Sequence, residues 1–214
     1  MRTLLFLTAG ALSSSQVRFS GVSRYAAERG WMLQAFEHVG QDTPIEDLVK
    51  FWQPVGAVLE YGENLPRNAV ERFGSVPVVS LDRDPDWGGI CLCQDSYEAG
   101  RMIARELLST GSRAAFGYVG FTERKHWDVE RRQGFVDTLE MHGRTCSLFD
   151  SAACPRKERL SRLGDWLAAL PRPCAVMAAT DTMSAIVVGV AAQRGLAIPD
   201  DLSLAGVDNA LHIC

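Results

Sequence analysis

Several things are scarce in these 214 residues. No apolar run approaches the ~20 residues that span a membrane. The opening Met1-Arg2-Thr3-Leu4-Leu5-Phe6-Leu7 is too short for a secretory leader, no cleavage site follows, and charge returns at Arg18. Excess basic charge is also missing: the formal net charge is −4. Nucleic-acid binders usually show basic stripes, so any nucleic-acid contact is expected from another segment. Six cysteines are present, at 91, 93, 146, 154, 174 and 214, and none forms a C-x-x-C pair. They read as reduced intracellular thiols, not as a disulfide or zinc framework. No G-x-G-x-x-G follows the first strand, and there is no Walker lysine and no G-x-S-x-G elbow. His38, His126, His142 and His212 show no metal-ligand spacing. The expectation is therefore no enzyme, no metal, no cofactor and no membrane span.

What the chain does have is hydrophobic content of 47% in a regular alternation. Apolar strands are expected at residues 4–7, 32–36, 55–60, 76–81, 89–93, 114–119, 146–149, 175–179 and 202–207. Helical periodicity falls between them, at 16–29, 43–52, 66–73, 96–109, 127–142, 156–170 and 181–194. Thr43-Pro44-Ile45-Glu46 reads as a helix start with a threonine cap and proline at the first helical position. Asp95 with Glu98 reads as a second cap, and Gly30, Gly111 and Gly195 as helix stops. Continuously apolar strands alternating with helices predict an α/β fold with parallel sheets covered on both faces.

In such sheets ligands bind beyond the carboxyl ends of the strands. The residues there are polar: the loop 8–15, Asp82-Arg83, Asp95, the segment 121–127, Thr180-Asp181 and Asp208-Asn209. Carboxylates accept paired hydrogen bonds from vicinal hydroxyls, and arginine donates in a fixed fork. Trp127 offers an apolar face to a sugar ring. Each also has a plain structural reading. Asp95 and Asp181 can be N-caps, and Asp82-Arg83 a surface turn. Trp127 can be packing, Ser13-Ser14-Ser15 a helix cap, Arg131 and Arg132 solvated, and His126 a surface residue.

The motifs taken together are more specific. The run from Gly195 through Ile198-Pro199-Asp200 to Gly206-Val207-Asp208-Asn209 resembles the LacI/GalR-type sensor domain. Ala178-Ala179-Thr180-Asp181 is similar to that family's alanine–asparagine/threonine–aspartate turn, and Arg131-Arg132-Gln133-Gly134-Phe135 to its arginine-x-x-glycine-phenylalanine helix. Val78 to Arg83 and Gln94 to Gly100 resemble its first-lobe strand and crossover helix. The segment Lys125-His126-Trp127 and the start at Met1 resemble the sensor half of xylose-operon-type regulators, which carry a C-terminal AraC-type DNA-binding domain.

The resemblance implies two doubly wound parallel-sheet lobes of type I periplasmic-binding-protein-like form. They would span residues 1–94 and 95–214, the second incomplete at its C-terminus. It implies Asp82, Arg131, Thr180 and Asp208 as hydroxyl-binding residues, Trp127 as the sugar-stacking wall, and Ser14 and Ser15 as polar contacts from the first loop. It implies a cytoplasmic homodimer that binds a small sugar between its lobes, with a pentose favoured, and reaches DNA through a separate domain. The rival readings are a periplasmic sugar receptor of a transporter and an enzyme on the same scaffold. No nucleophile–base pair is readable for the latter.

Overall fold

A computed structural model describes residues 1–8, 13–37, 44–60, 65–66, 68–81, 88–123, 125–210 and 213, without the side chains of residues 13–15. The chain forms two compact units, Met1–Gln94 and Asp95–Cys214.

Unit 1 runs β1 (Thr3–Thr8), α1 (Ser13–Glu28), β2 (Met32–Glu37), α2 (Ile45–Trp52), β3 (Gly56–Leu59), α3 (Ala69–Arg72), β4 (Val78–Ser80) and β5 (Ile90–Cys91). Its sheet is parallel, in the order β2-β1-β3-β4-β5. Leu5, Leu7 and Leu59 are fully buried with Ile45 and Phe73 on one face. Phe6, between them in β1, turns to the other face and meets Phe19 of α1 edge to face. Period-two alternation puts neighbours on opposite faces, so a strand covered on both must be apolar throughout. Each such leucine contributes about 1.5–3 kcal/mol by leaving water.

Several helix starts differ from the expectations, among them that of α3, which begins at Ala69. Helix α1 begins at Ser13, so Ser14 and Ser15 lie in its first turn and not in a preceding loop. The first-turn backbone N–H groups have no intrahelical partners, and serine tolerates that position. Pro44 occupies the N-cap of α2 in extended geometry, with no side-chain cap bond. It stands one residue before the helix, as a fixed φ near −60° allows. Thr43 lies outside the described residues.

Unit 2 runs α4 (Ser96–Ser109), β6 (Ala115–Val119), α5 (His126–Met141), β7 (Cys146–Phe149), α6 (Arg159–Ala169), β8 (Cys174–Ala178), α7 (Asp181–Gln193) and β9 (Leu202–Ala205). The four strands are parallel, in the order β7-β6-β8-β9. Ala175 and Met177 of β8 pack with Phe135 and Leu139 of α5. Cys174, Val176 and Ala178 face Leu163, Leu167 and Val187 of α6 and α7. The sheet is thus doubly wound, as the pattern predicted. No helix among the described residues is long and apolar enough to cross a membrane.

Candidate functional site

In unit 2 the chain leaves β6 towards β7 on one side and leaves β8 towards β9 on the other. The carboxyl ends of β6 and β8 therefore flank the topological switch point, where open α/β sheets form their crevice. Helix α5 starts beside that point and delivers Arg131 to it. Arg131 is only 4% exposed. Its Nη1 donates to the carbonyl of Ala179, just past β8, at 2.6 Å. Its Nη2 lies 3.3 Å from Oδ1 of Asp208, past β9. Its guanidinium lies over the Trp127 ring, 4.7 Å from the centroid. Trp127 meets Phe121, past β6, at 5.1 Å. Carboxylate, backbone carbonyl and ring together hold a buried charge that would be costly by itself.

Thr180 caps α7: its hydroxyl accepts from the backbone N–H of Met183 at 3.2 Å. The hydroxyl keeps its own hydrogen to donate. Asp181 follows it inside the helix and is nearly buried. Its Oδ2 accepts from the N–H of Ala210 at 2.8 Å, and its own N–H donates to the carbonyl of Val207. These two bonds hold the turn that carries Asp208. Gly206 lies against Asp181 and Ser184 so closely that a Cβ there would collide with both. The glycine of the Gly-Val-Asp motif is a packing requirement of this turn.

A second polar group lies at the same end of β6. The Tyr118 hydroxyl donates to Oδ1 of Asp128, in the first turn of α5, at 2.7 Å, and lies 3.2 Å from the Asp128 carbonyl. The carboxylate also accepts from the N–H of Phe121. Burial pushes the Asp128 carboxyl above its ordinary range, partly offset by the Tyr118 bond. Burial and the neighbouring carboxylate push the Tyr118 hydroxyl up as well.

Unit 1 has its own switch point, between β1 and β3. Glu60, directly after β3, is 2% exposed. It accepts from the Thr8 hydroxyl at the end of β1 at 2.7 Å and pairs with Arg18 of α1 at 3.4 Å.

A profile of the periplasmic binding protein-like domain matches residues 104–213, just over half of the chain. The chain belongs to this family. The LacI/GalR-type resemblance drawn from the motifs stands with it. Over 153 residues the chain is 28% identical to the HTH-type transcriptional repressor PurR of Mannheimia succiniciproducens, covering 67% of this chain and 43% of that protein. Over 122 residues it is 28% identical to the xylose operon regulatory protein of Haemophilus influenzae, covering 55% and 32%. The chain thus spans less than half the length of these curated relatives. The crystal structure of a periplasmic binding protein/LacI transcriptional regulator from Alkaliphilus metalliredigens QYMF, complexed with D-xylulofuranose, matches with a TM-score of 0.73 at 15% identity. That match covers 99% of this chain and 80% of the other, and it shows the shared fold.

In this periplasmic binding protein-like chain, three of the residues expected at a site come together, Trp127, Arg131 and Asp208, and Thr180 follows Ala179, whose carbonyl Arg131 holds. Arg131 is buried, not solvated: α4 packs against α5 at Gly134 and at the Arg131 backbone, and the Arg131 side chain reaches the Ala179 carbonyl past β8. The cap role suggested for Asp181 falls on Thr180, whose backbone is the extended one. One face of Trp127 is taken by Arg131. Asp95 is a cap, accepting from the Glu98 N–H at 2.8 Å. His126 is a partly exposed surface residue paired with Glu130 at 2.9 Å. Asp82 and Arg83 lie outside the described residues, and so do the side chains of Ser14 and Ser15. Glu60, Tyr118 and Asp128 were not singled out by the sequence reading. For Glu60 the available signal was a carboxylate directly after an apolar parallel strand. Tyr118 and Asp128 are ten residues apart, and no local spacing marks them as a pair. No group of three metal-ligating side chains occurs among the described residues.

Proposed function

We propose that this chain is the effector-binding part of a transcription regulator, and that its unit 2 site holds a neutral sugar without transforming it. One observation carries the reading. The Arg131 fork is fixed at the β6/β8 switch point by the Ala179 carbonyl, the Asp208 carboxylate and the Trp127 ring. A preformed fork beside a carboxylate and a capped hydroxyl is what vicinal hydroxyls need: donors and acceptors at fixed angles.

Charge argues for a neutral ligand. The Arg131 cation already faces Asp208, and Asp128 adds a second carboxylate on the same helix start. A phosphate or carboxylate group would meet that negative charge, and Arg131, the buried cation of the cluster, is already paired with Asp208. A pentose is the favoured size. The support is the xylose operon relative and the D-xylulofuranose complex of a shared fold. On this reading Asp208, Arg131 and Thr180 bond the hydroxyls and Trp127 walls the ring. DNA is reached through a segment outside this chain, and we propose the AraC-type arrangement of xylose regulators, working as a cytoplasmic homodimer. Ligand can bias the regulator only by its differential affinity for two states.

The test is a thermal-shift screen with D-xylose, D-ribose, D-glucose and D-xylose 5-phosphate. A neutral sugar at a hundred times its dissociation constant adds about 2.7 kcal/mol of stability. At least one neutral pentose is expected to raise the melting temperature, and Arg131→Lys, which keeps the charge but loses the fork, to abolish that rise. A rise with the phosphorylated sugar only would refute the neutral-ligand reading.

A further inference from the structure

The carboxylate of Asp128 is held where a structural role by itself explains it poorly. It sits largely buried in the first turn of α5, and a buried carboxylate costs stability unless its bonds repay it. Arg131 and Arg132, on the same helix, are the cations near it, and Arg131 is already committed to the Ala179 carbonyl and Asp208. Its bonds go to β6 and the turn after it: the Tyr118 hydroxyl at 2.7 Å and the Phe121 N–H. Both ends of that tether carry site residues. Trp127 immediately precedes Asp128, and Arg131 lies three residues beyond it on the helix. Phe121, whose N–H is held, meets the Trp127 ring at a tilt of 54°, and Trp127 carries the Arg131 guanidinium. Gly120, between Val119 and Phe121, has the Asp128 carboxylate at ordinary contact distance from where a Cβ would lie. The bonds thus fasten the exit of β6 to the start of α5 across a short connection.

We propose that Tyr118 and Asp128 are positioning residues. Their hydrogen bond sets the Phe121–Trp127–Arg131 contacts and so the direction of the guanidinium fork. This rests on the sugar-binding reading of that fork. It adds that ligand affinity depends on two residues that need not touch the ligand. The Tyr118 ring packs in the core beside Phe135 at 6.1 Å, so removing only its hydroxyl leaves the packing in place. In the Tyr118→Phe protein the carboxylate keeps the Phe121 N–H but loses its second anchor. The helix start can then rotate by the small angle that misaims a fork.

The experiment uses Tyr118→Phe and Asp128→Asn in the whole chain, with two readouts. The first needs no ligand: the indole N–H resonance of Trp127, assigned with Trp127→Phe, in nitrogen-15 spectra. The second is calorimetric titration with D-xylose. Tyr118→Phe is expected to fold with a melting temperature within a few degrees of the parent, to shift the Trp127 indole resonance, and to weaken D-xylose binding about tenfold, the effect of one hydrogen bond to a charged group. Asp128→Asn, which keeps one acceptor of the two, is expected to move the same resonance in the same direction. An indole resonance in Tyr118→Phe that superimposes on the parent's overturns the proposal. So does parental affinity in both variants. If the parent binds no sugar at all, the sugar reading fails, and the indole resonance decides the role of the pair by itself.

Discussion

At Asp208 the backbone adopts φ of 112°, a region that L side chains rarely occupy. Asn209 follows at 51°. Such strain persists where the surroundings over-determine it, and it clusters at functional turns. Here Asp181 clamps the turn from Val207 to Ala210, and the reward is a carboxylate held 3.3 Å from Arg131. Replacing Asp208 by glycine or by alanine removes the carboxylate equally, but only glycine relaxes the backbone. Asp208→Gly is therefore expected to be about 1 kcal/mol more stable than Asp208→Ala in urea unfolding, with neither binding sugar. Equal stabilities would mean that the turn is not strained. Residue-level chemistry was partly legible beforehand. Arg131 was implied by the family resemblance of its helix motif, and Asp208 by that resemblance and by its place after the last strand. The burial of Arg131 was not legible, since it depends on α4 packing along one face of α5. Glu60 was missed because its partners, Thr8 and Arg18, lie 52 and 42 residues away.

Helix α5 is the element on which the site depends, and its placement rests on two glycines. A Cβ at Gly134 would lie 2.9 Å from the carbonyl carbon of Tyr97, and one at Gly100 would lie 2.8 Å from the N of Phe135. Backbone of α4 touches backbone of α5 there, and nothing flexible can yield. Gly134→Ala is expected to cost about 3 kcal/mol or more, at the upper end for an overpacked contact. It should also lower sugar affinity, because α5 must move off α4 with Trp127 and Arg131 aboard. Stability within 0.5 kcal/mol of the parent would show that the two helices part easily. Element order and type were readable from alternation and periodicity almost throughout. The starts were less so. Helix α6 begins at Arg159, three residues later than its pattern suggested, after a turn at 156–158. Capping depends on backbone geometry that composition does not report, as Pro44 and Thr180 both show.

Across the molecule, each parallel sheet has a polar cluster at its own switch point: Thr8 with Glu60 between β1 and β3, and Arg131 with Ala179 between β6 and β8. Strands covered on both faces leave only their ends for chemistry, so this placement follows from the fold itself. The α/β architecture and its parallel sheets were legible because both depend on a repeated pattern. Which strands become neighbours was not, since pairing order is decided by contacts distant in the chain. The central claim is that a neutral sugar binds at the Arg131 fork. It is tested most directly by titrating the nitrogen-15-labelled chain with the best-binding neutral sugar of the screen and following every backbone amide. The account predicts that the largest saturable shifts fall on Thr180, Asp208 and the first turns of α5. Shifts confined to other surfaces, with those amides unmoved at saturation, would contradict it.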